Sequence, residues 1–206
     1  MSWYLVEVVL ASVAAYLLGS LSFATILVKL FLGIDVRDHG SGNAGATNVL
    51  RTAGRRLAVF TLLLDVLKGS LAVLGMRLLT PDPTWHATAA AAVIFGHVFP
   101  VFFGFRGGKG VATAVGAFLC LSPLAVLVVG AVFGLVVWLT RLVSLGSLTA
   151  ACLLPVVMGL LFRAPDADVL AAVANAAFLV FSHRANVKRL LDGTERRLGQ
   201  KEPPEE

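Results

Sequence analysis

Thirty consecutive residues, Val111 to Thr140, carry no charge. A stretch that apolar belongs in hydrocarbon, where each backbone N–H and C=O must be satisfied inside the protein, so it folds as helix unless it closes into a barrel. The pattern recurs along the chain. Val8 to Val28 is uncharged, Leu57–Leu79, Trp85–Phe103 and Leu142–Phe162 are apolar runs of spanning length, and Ala167–Ser182 is shorter and alanine-rich. Only 14% of the 206 residues are charged and mean hydropathy is +0.87, against about 25% charged in a soluble domain. The expected fold is therefore an all-α polytopic membrane protein, one domain over residues 1–206, with a short disordered tail from about 198 to 206. The N-terminus lacks a basic n-region and its apolar stretch is too long for a signal peptide, so it reads as an uncleaved helix.

Charge decides how often the chain crosses. Ser122-Pro123 interrupts the thirty-residue run, where proline breaks or kinks a helix. If that run is two helices there are seven elements, and loops 33–56 and 104–110, the turn at Arg141 and segment 183–206 share one side. That side then holds Arg37, Arg51, Arg55, Arg56, Arg106, Lys109, Arg141, Arg184, Lys188, Arg189, Arg196, Arg197 and Lys201, leaving Arg77 and Arg163 opposite. The positive-inside rule thus favours seven transmembrane helices with the N-terminus outside and the C-terminus cytoplasmic. The same rule accounts for the net charge of +5 without nucleic-acid binding.

This topology gathers three polar clusters on one face. The first, Gly40 to Asn48 followed by Arg51, combines glycines that let backbone amides curl inward with the donors of Ser41, Asn43, Thr47 and Asn48. Gly42, Gly45 and Ala46 complete a candidate phosphate cradle. Its GxGxxG spacing is not a dinucleotide fingerprint, because no strand precedes it. The second, Gly104 to Gly110, encloses Lys109 between Gly107, Gly108 and Gly110 and runs into a helix at Thr113. A helix start favours anions, and the Walker A spacing is absent. In the third, His183, Asn186 and Arg189 or Leu190 fall on one helical face, with Glu195 beyond. Each has a plainer alternative: a polar turn for the two loops, and a lipid-attracted basic tail for the last.

Asp65 and Lys68, i and i+3 inside a span, read as an ion pair facing the bundle and bracing the first loop. His97 reads as a packed histidine or a base, and no carboxylate–histidine pair is evident. Glu7 and His39 acquire no role. Cys120 and Cys152 lie in apolar stretches without metal-ligand spacing, so reduced thiols and no metal are expected.

Gly40–Arg51, Asp65–Gly69, Gly96–Thr113 and His183–Leu190 with Gly193-Thr194-Glu195 resemble, in order and spacing, the bacterial acyl-phosphate:glycerol-3-phosphate acyltransferases of the PlsY type. The motif core shows no departure. The resemblance implies a seven-helix enzyme of the bacterial cytoplasmic (inner) membrane with its active site facing the cytoplasm. It implies acyl transfer from acyl phosphate to the 1-hydroxyl of sn-glycerol 3-phosphate, giving lysophosphatidic acid and phosphate, without cofactor. It further implies contact with membrane lipid and functional coupling to the enzyme that makes acyl phosphate.

An acyl phosphate is already activated, so positioning and charge stabilisation suffice. The Ser41–Asn48 amides are expected to cradle one phosphate, with Arg51 and Lys109 neutralising charge and His183 and Asn186 orienting glycerol phosphate. Either His183 or the departing phosphate takes the hydroxyl proton, and an acyl-Ser41 intermediate is the least favoured route. The HxxxxD pattern of other glycerolipid acyltransferases is absent. The alternative from another class is a transporter for a phosphorylated metabolite, which places its substrate near the midplane between repeats.

Overall fold

The computed structural model describes residues 3–200. Helices α1 (Trp3–Gly19) and α2 (Phe23–Leu32) are followed by a 3₁₀ turn, Val36–Asp38, and a short helix α3 (Ala46–Thr52). Then come α4 (Arg55–Leu79), α5 (Pro83–Val98), a 3₁₀ turn Val101–Phe103, α6 (Val111–Leu121), α7 (Pro123–Thr140) and α8 (Val143–Val156). After Pro155 the α8 helix widens into a π turn, Val157–Leu161, before α9 (Asp166–Ser182) and α10 (Arg184–Leu191). No strand occurs among the described residues.

The chain is a multi-pass membrane protein. Five helical segments are long and apolar enough to cross a membrane: Trp3–Leu32, Arg55–Leu79, Pro83–Phe103, Pro123–Thr140 and Val143–Leu161. Helices α9 and α10, taken together across a 65° bend, make a sixth. The division at Ser122-Pro123 is as expected, with Pro123 opening α7. By length and composition the helices supply five spans, or six with the bent pair, against the seven expected; α6 has 11 residues and reaches about 16 Å at 1.5 Å per residue.

Packing explains why α6 is short. A Cβ on Gly69 would overlap the Thr113 carbonyl, and one on Gly116 would overlap that of Val66. The Ser70 hydroxyl donates to Gly116 O at 2.9 Å. The first turn of α6 therefore sits beside the middle of α4, about 21 Å along it from Arg55. The same small-residue contact joins α1 to α5, where Gly19 faces the Val93 carbonyl and Gly96 that of Tyr16. The rings of Phe95, Phe99 and Phe178 pack α5 on α9. Large side chains point outward (Leu78 is 88% exposed and Leu160 78%), while the core is built from alanine, valine and a few larger residues.

Val8–Val28 does not form the single helix its uncharged sequence suggests. It breaks at Ser20–Ser22, between α1 and α2. The Lys68 ammonium enters the break and donates to Gly19 O at 3.0 Å and Leu21 O at 2.7 Å. Its third partner is Asp65 Oδ1 at 2.9 Å, and both side chains are almost fully buried. The expected ion pair is present, but it braces this break rather than the loop that follows α2. Disrupting one partner of a buried pair typically costs about 3–5 kcal/mol. Lys68→Met should lower stability by about that much, because it strands Asp65 and two carbonyls. A fall in the thermal melting midpoint of the detergent-purified protein checks this.

Candidate active site

The first polar loop is organised from inside by one side chain. Asn48, 1% exposed, donates from Nδ2 to Val36 O and His39 O, both at 3.0 Å, and accepts the Ser41 amide at 2.8 Å. Gly40, at φ +63°, has no room for a Cβ against Asn48 Oδ1. The Gly42 amide donates to His39 O, that of Gly45 to Asn43 O, and that of Asn48 to Gly45 O. Four of the expected cradle amides are thus used within the loop. Asn43, Ala46 and Thr47 have amides with no acceptor among the described residues. Asn48 is the scaffold of the loop and not an anion ligand, a role its helical neighbours conceal in the sequence.

The second loop lies against the first. Arg37 links the approaches, since its guanidinium pairs with Asp35 at 2.6 Å and donates to Phe103 O at 2.8 Å. Gly107 and Gly108 donate their amides back to Val98 O and His97 O, folding the loop onto the end of α5. A Cβ on Gly108 would overlap His97 Nε2 and approach the Ala44 carbonyl of the first loop to 2.8 Å. Only glycine permits this three-way contact. Behind it, His97 Nδ1 stands 3.5 Å from Asp65 Oδ1. A carboxylate–histidine pair thus exists, contrary to the sequence reading, between residues 32 positions apart on α4 and α5.

Lys109 extends from this loop into a network supplied by three other segments. Its ammonium donates to Asn186 Oδ1 on α10. Asn186 Nδ2 donates to Glu195 Oε1 at 2.6 Å, and the Ser144 hydroxyl on α8 donates to the same oxygen at 2.8 Å. Arg189 Nε donates to Glu195 Oε2 at 2.8 Å. The Ser182 hydroxyl donates to Lys109 O at 3.1 Å. His183, 3% exposed, has Nδ1 2.9 Å from Leu179 O. A carbonyl only accepts, so Nδ1 carries the proton and Nε2 of the neutral ring keeps a lone pair.

Electrostatics bind the cluster together. Burial raises the Glu195 carboxyl, but the hydrogen bonds from Asn186, Ser144 and Arg189 outweigh it and hold the group below its ordinary value. Burial pushes Lys109 down to about 8; the charges of Arg189 and Arg51 act the same way and Glu195 opposes them. Arg51, on α3, is thus within electrostatic reach of Lys109.

The fold therefore assembles Lys109, His183, Asn186 and Glu195, with Arg51 nearby, as their sequence pattern suggested. Ser144 and Arg189 join them. Ser144 is hidden in the sequence as one polar residue in an apolar run. Ser41 is exposed at the rim, and its hydroxyl has no partner among the described residues. Asp65, Lys68 and Thr113 lie behind the loops. Thr113 is fully buried, and its hydroxyl has no partner among the described residues, so it contributes to packing on α4 and not to an anion site. Gly110, at φ +87°, starts α6. No group of metal-ligating side chains occurs among the described residues.

A polytopic helical membrane protein with a recessed cationic cluster between two glycine loops is a narrow class. Residues 9–193 match the glycerol-3-phosphate acyltransferase family, and the chain belongs to it. It is 49% identical to a glycerol-3-phosphate acyltransferase of Halalkalibacterium halodurans, covering 92% of this chain and 94% of that one. It is 46% identical to one of Clostridioides difficile, with 94% and 96% covered. Its fold is similar to crystal structures of PlsY (YgiH), an integral membrane glycerol 3-phosphate acyltransferase. The glycerol 3-phosphate form superposes with a TM-score of 0.89 at 37% identity over 94% of this chain and 96% of that one. The lysophosphatidic acid form gives 0.87 at 36% over the same shares.

Lys109 supplies a pH test. Its pKa is lowered to about 8, so its positive charge is complete well below pH 8 and lost as pH rises through it. If the ammonium binds substrate phosphate, kcat/KM should fall above about pH 8. Lys109→Arg, whose guanidinium stays charged, should remove that alkaline limb even at a reduced plateau. A pH–rate profile of both proteins checks it.

Proposed function

We propose that this chain transfers a fatty acyl group from acyl phosphate to the 1-hydroxyl of sn-glycerol 3-phosphate, producing lysophosphatidic acid and inorganic phosphate. The observation that carries the reading is the convergence of Lys109, Asn186, His183 and Arg51 beside two glycine loops, in a chain similar to a transferase crystallised with glycerol 3-phosphate. Both substrates carry phosphate, and the cluster offers cations and neutral donors in matching number. Lys109 and Asn186 take the glycerol phosphate, and Arg51 with the Asn43, Ala46 and Thr47 amides meets the donor's phosphate.

The hydroxyl oxygen attacks the acyl carbonyl carbon, the carbon–oxygen bond to phosphate breaks, and an ester bond forms. The hydroxyl proton passes to the departing phosphate, which leaves as inorganic phosphate. In this reading His183 orients that hydroxyl through Nε2, the nitrogen left as an acceptor by the Nδ1 contact with Leu179 O. Ser41 is a rim contact for the donor and not a covalent carrier. The reading includes a bacterial inner-membrane setting with the N-terminus outside and the site open to the cytoplasm, where it receives acyl phosphate from the enzyme that makes it.

Purified protein given acyl phosphate and glycerol 3-phosphate should make lysophosphatidic acid without metal or nucleotide. Product formed only from acyl-CoA would overturn the donor, and none from either donor would overturn the activity. Lys109→Met and Arg51→Ala should each lower kcat/KM at least 100-fold while the protein still purifies as a folded species. Full activity in both would sink the phosphate-site assignment.

A further inference from the structure

Three buried ionisable groups lie outside the proposed chemistry and form one line through the bundle. Lys68 closes the break between α1 and α2, Asp65 bridges Lys68 and His97, and the far nitrogen of His97 meets Gly108. The three side chains are 5% exposed or less. Burying charges in a bundle is expensive unless they serve function or one another. Pairing with Asp65 explains Lys68, but it does not explain why the line continues through a histidine to a glycine that precedes the phosphate-site lysine.

The contact at Gly108 is specific. His97 holds Gly108 twice, by its main-chain carbonyl, which accepts the Gly108 amide at 3.1 Å, and by its ring, which fills the space where a Cβ would stand. The Ala44 carbonyl of the first loop crowds the same spot, 2.8 Å from where that Cβ would stand. The imidazole is thus the floor on which both loops meet. Its Nδ1 stands 3.5 Å from Asp65 Oδ1, and that carboxylate is paired with an ammonium that also holds two main-chain carbonyls.

We infer that His97, fixed by Asp65 and Lys68, is a positioning residue that seats Gly108 and so sets where Lys109 meets substrate phosphate. It does not touch the reacting atoms. The inference rests on the phosphate-binding role of Lys109 proposed above. It predicts coupling between the ring and the missing Cβ, which a general loss of stability does not produce.

The test is a double-mutant cycle on the purified enzyme, reading KM for glycerol 3-phosphate, kcat, and the melting midpoint in detergent, with Lys109→Met as reference. Gly108→Ala pushes the loop off the ring and should raise KM at least tenfold, with kcat changing less than threefold. His97→Ala removes the floor and should act in the same direction. In the double variant the clash with the ring is gone and only the Ala44 carbonyl, 2.8 Å from the new Cβ, still crowds it, so the rise in KM should fall well short of the product of the two single effects. Asp65→Asn should also raise KM, and less so once His97 is alanine.

A wild-type KM in Gly108→Ala, or single effects that multiply in the double variant, would overturn the inference. So would losses confined to the melting midpoint and to the yield of folded protein. Those results leave the phosphate reading standing if Lys109→Met still abolishes binding. If Lys109→Met keeps full activity, it is that reading which fails.

Discussion

A single ammonium group carries an unusual share of this structure. Lys68 Nζ satisfies two carbonyls freed where the first apolar run breaks, and it neutralises the one carboxylate in α4. In hydrocarbon neither the open carbonyls nor the isolated charges are tolerable, yet together they are. Lys68 satisfies the carbonyls that the break leaves open, and Lys68 is tolerable because the break supplies acceptors. From that node α1, α2, α4 and α5 take their relative positions, and the floor of the polar site follows.

The recessed position of the glycine loop depends on a second constraint. The loop folds back on the end of α5 through the amides of Gly107 and Gly108, and α6 starts beside the middle of α4 through Gly69 and Gly116. Both contacts need residues without side chains. A Cβ at any of these positions would overlap main-chain or ring atoms and force the elements apart. Shortness in α6 is therefore how the fold carries a cationic loop below the level at which α4 begins.

Much of this was legible in the residues. The apolar runs predicted helices α4, α5, α7, α8 and α9 to within a few residues, and Ser122-Pro123 marked the α6–α7 division. Helical spacing placed His183 with Asn186, and glycines around Lys109 marked the loop that reaches them. What was not legible depends on distant partners. Nothing local shows that Asn48 spends its amide on its own loop, since that depends on where Val36 and His39 carbonyls fall. Nothing local pairs Asp65 with His97 or Ser144 with Glu195. The break at Ser20–Ser22 was hidden because the group that satisfies its carbonyls, Lys68, lies 47 residues away from Leu21. The apolar runs marked where helices lie, but the division of the first run and the height of α6 were tertiary facts.

Glu195 has a consequence for how the protein is made. Lys109 is compensated by Asn186, 77 residues later, and Asn186 is held by Glu195 beyond it. Every membrane helix precedes that carboxylate in the chain. During synthesis the lysine is therefore inserted long before its partners emerge, and the cluster closes last, around residues added after the bundle is in place. Assembly of the bundle and closure of the cluster are separate events in time, and a nascent chain that ends just short of Glu195 holds every candidate span but not the carboxylate that holds Asn186.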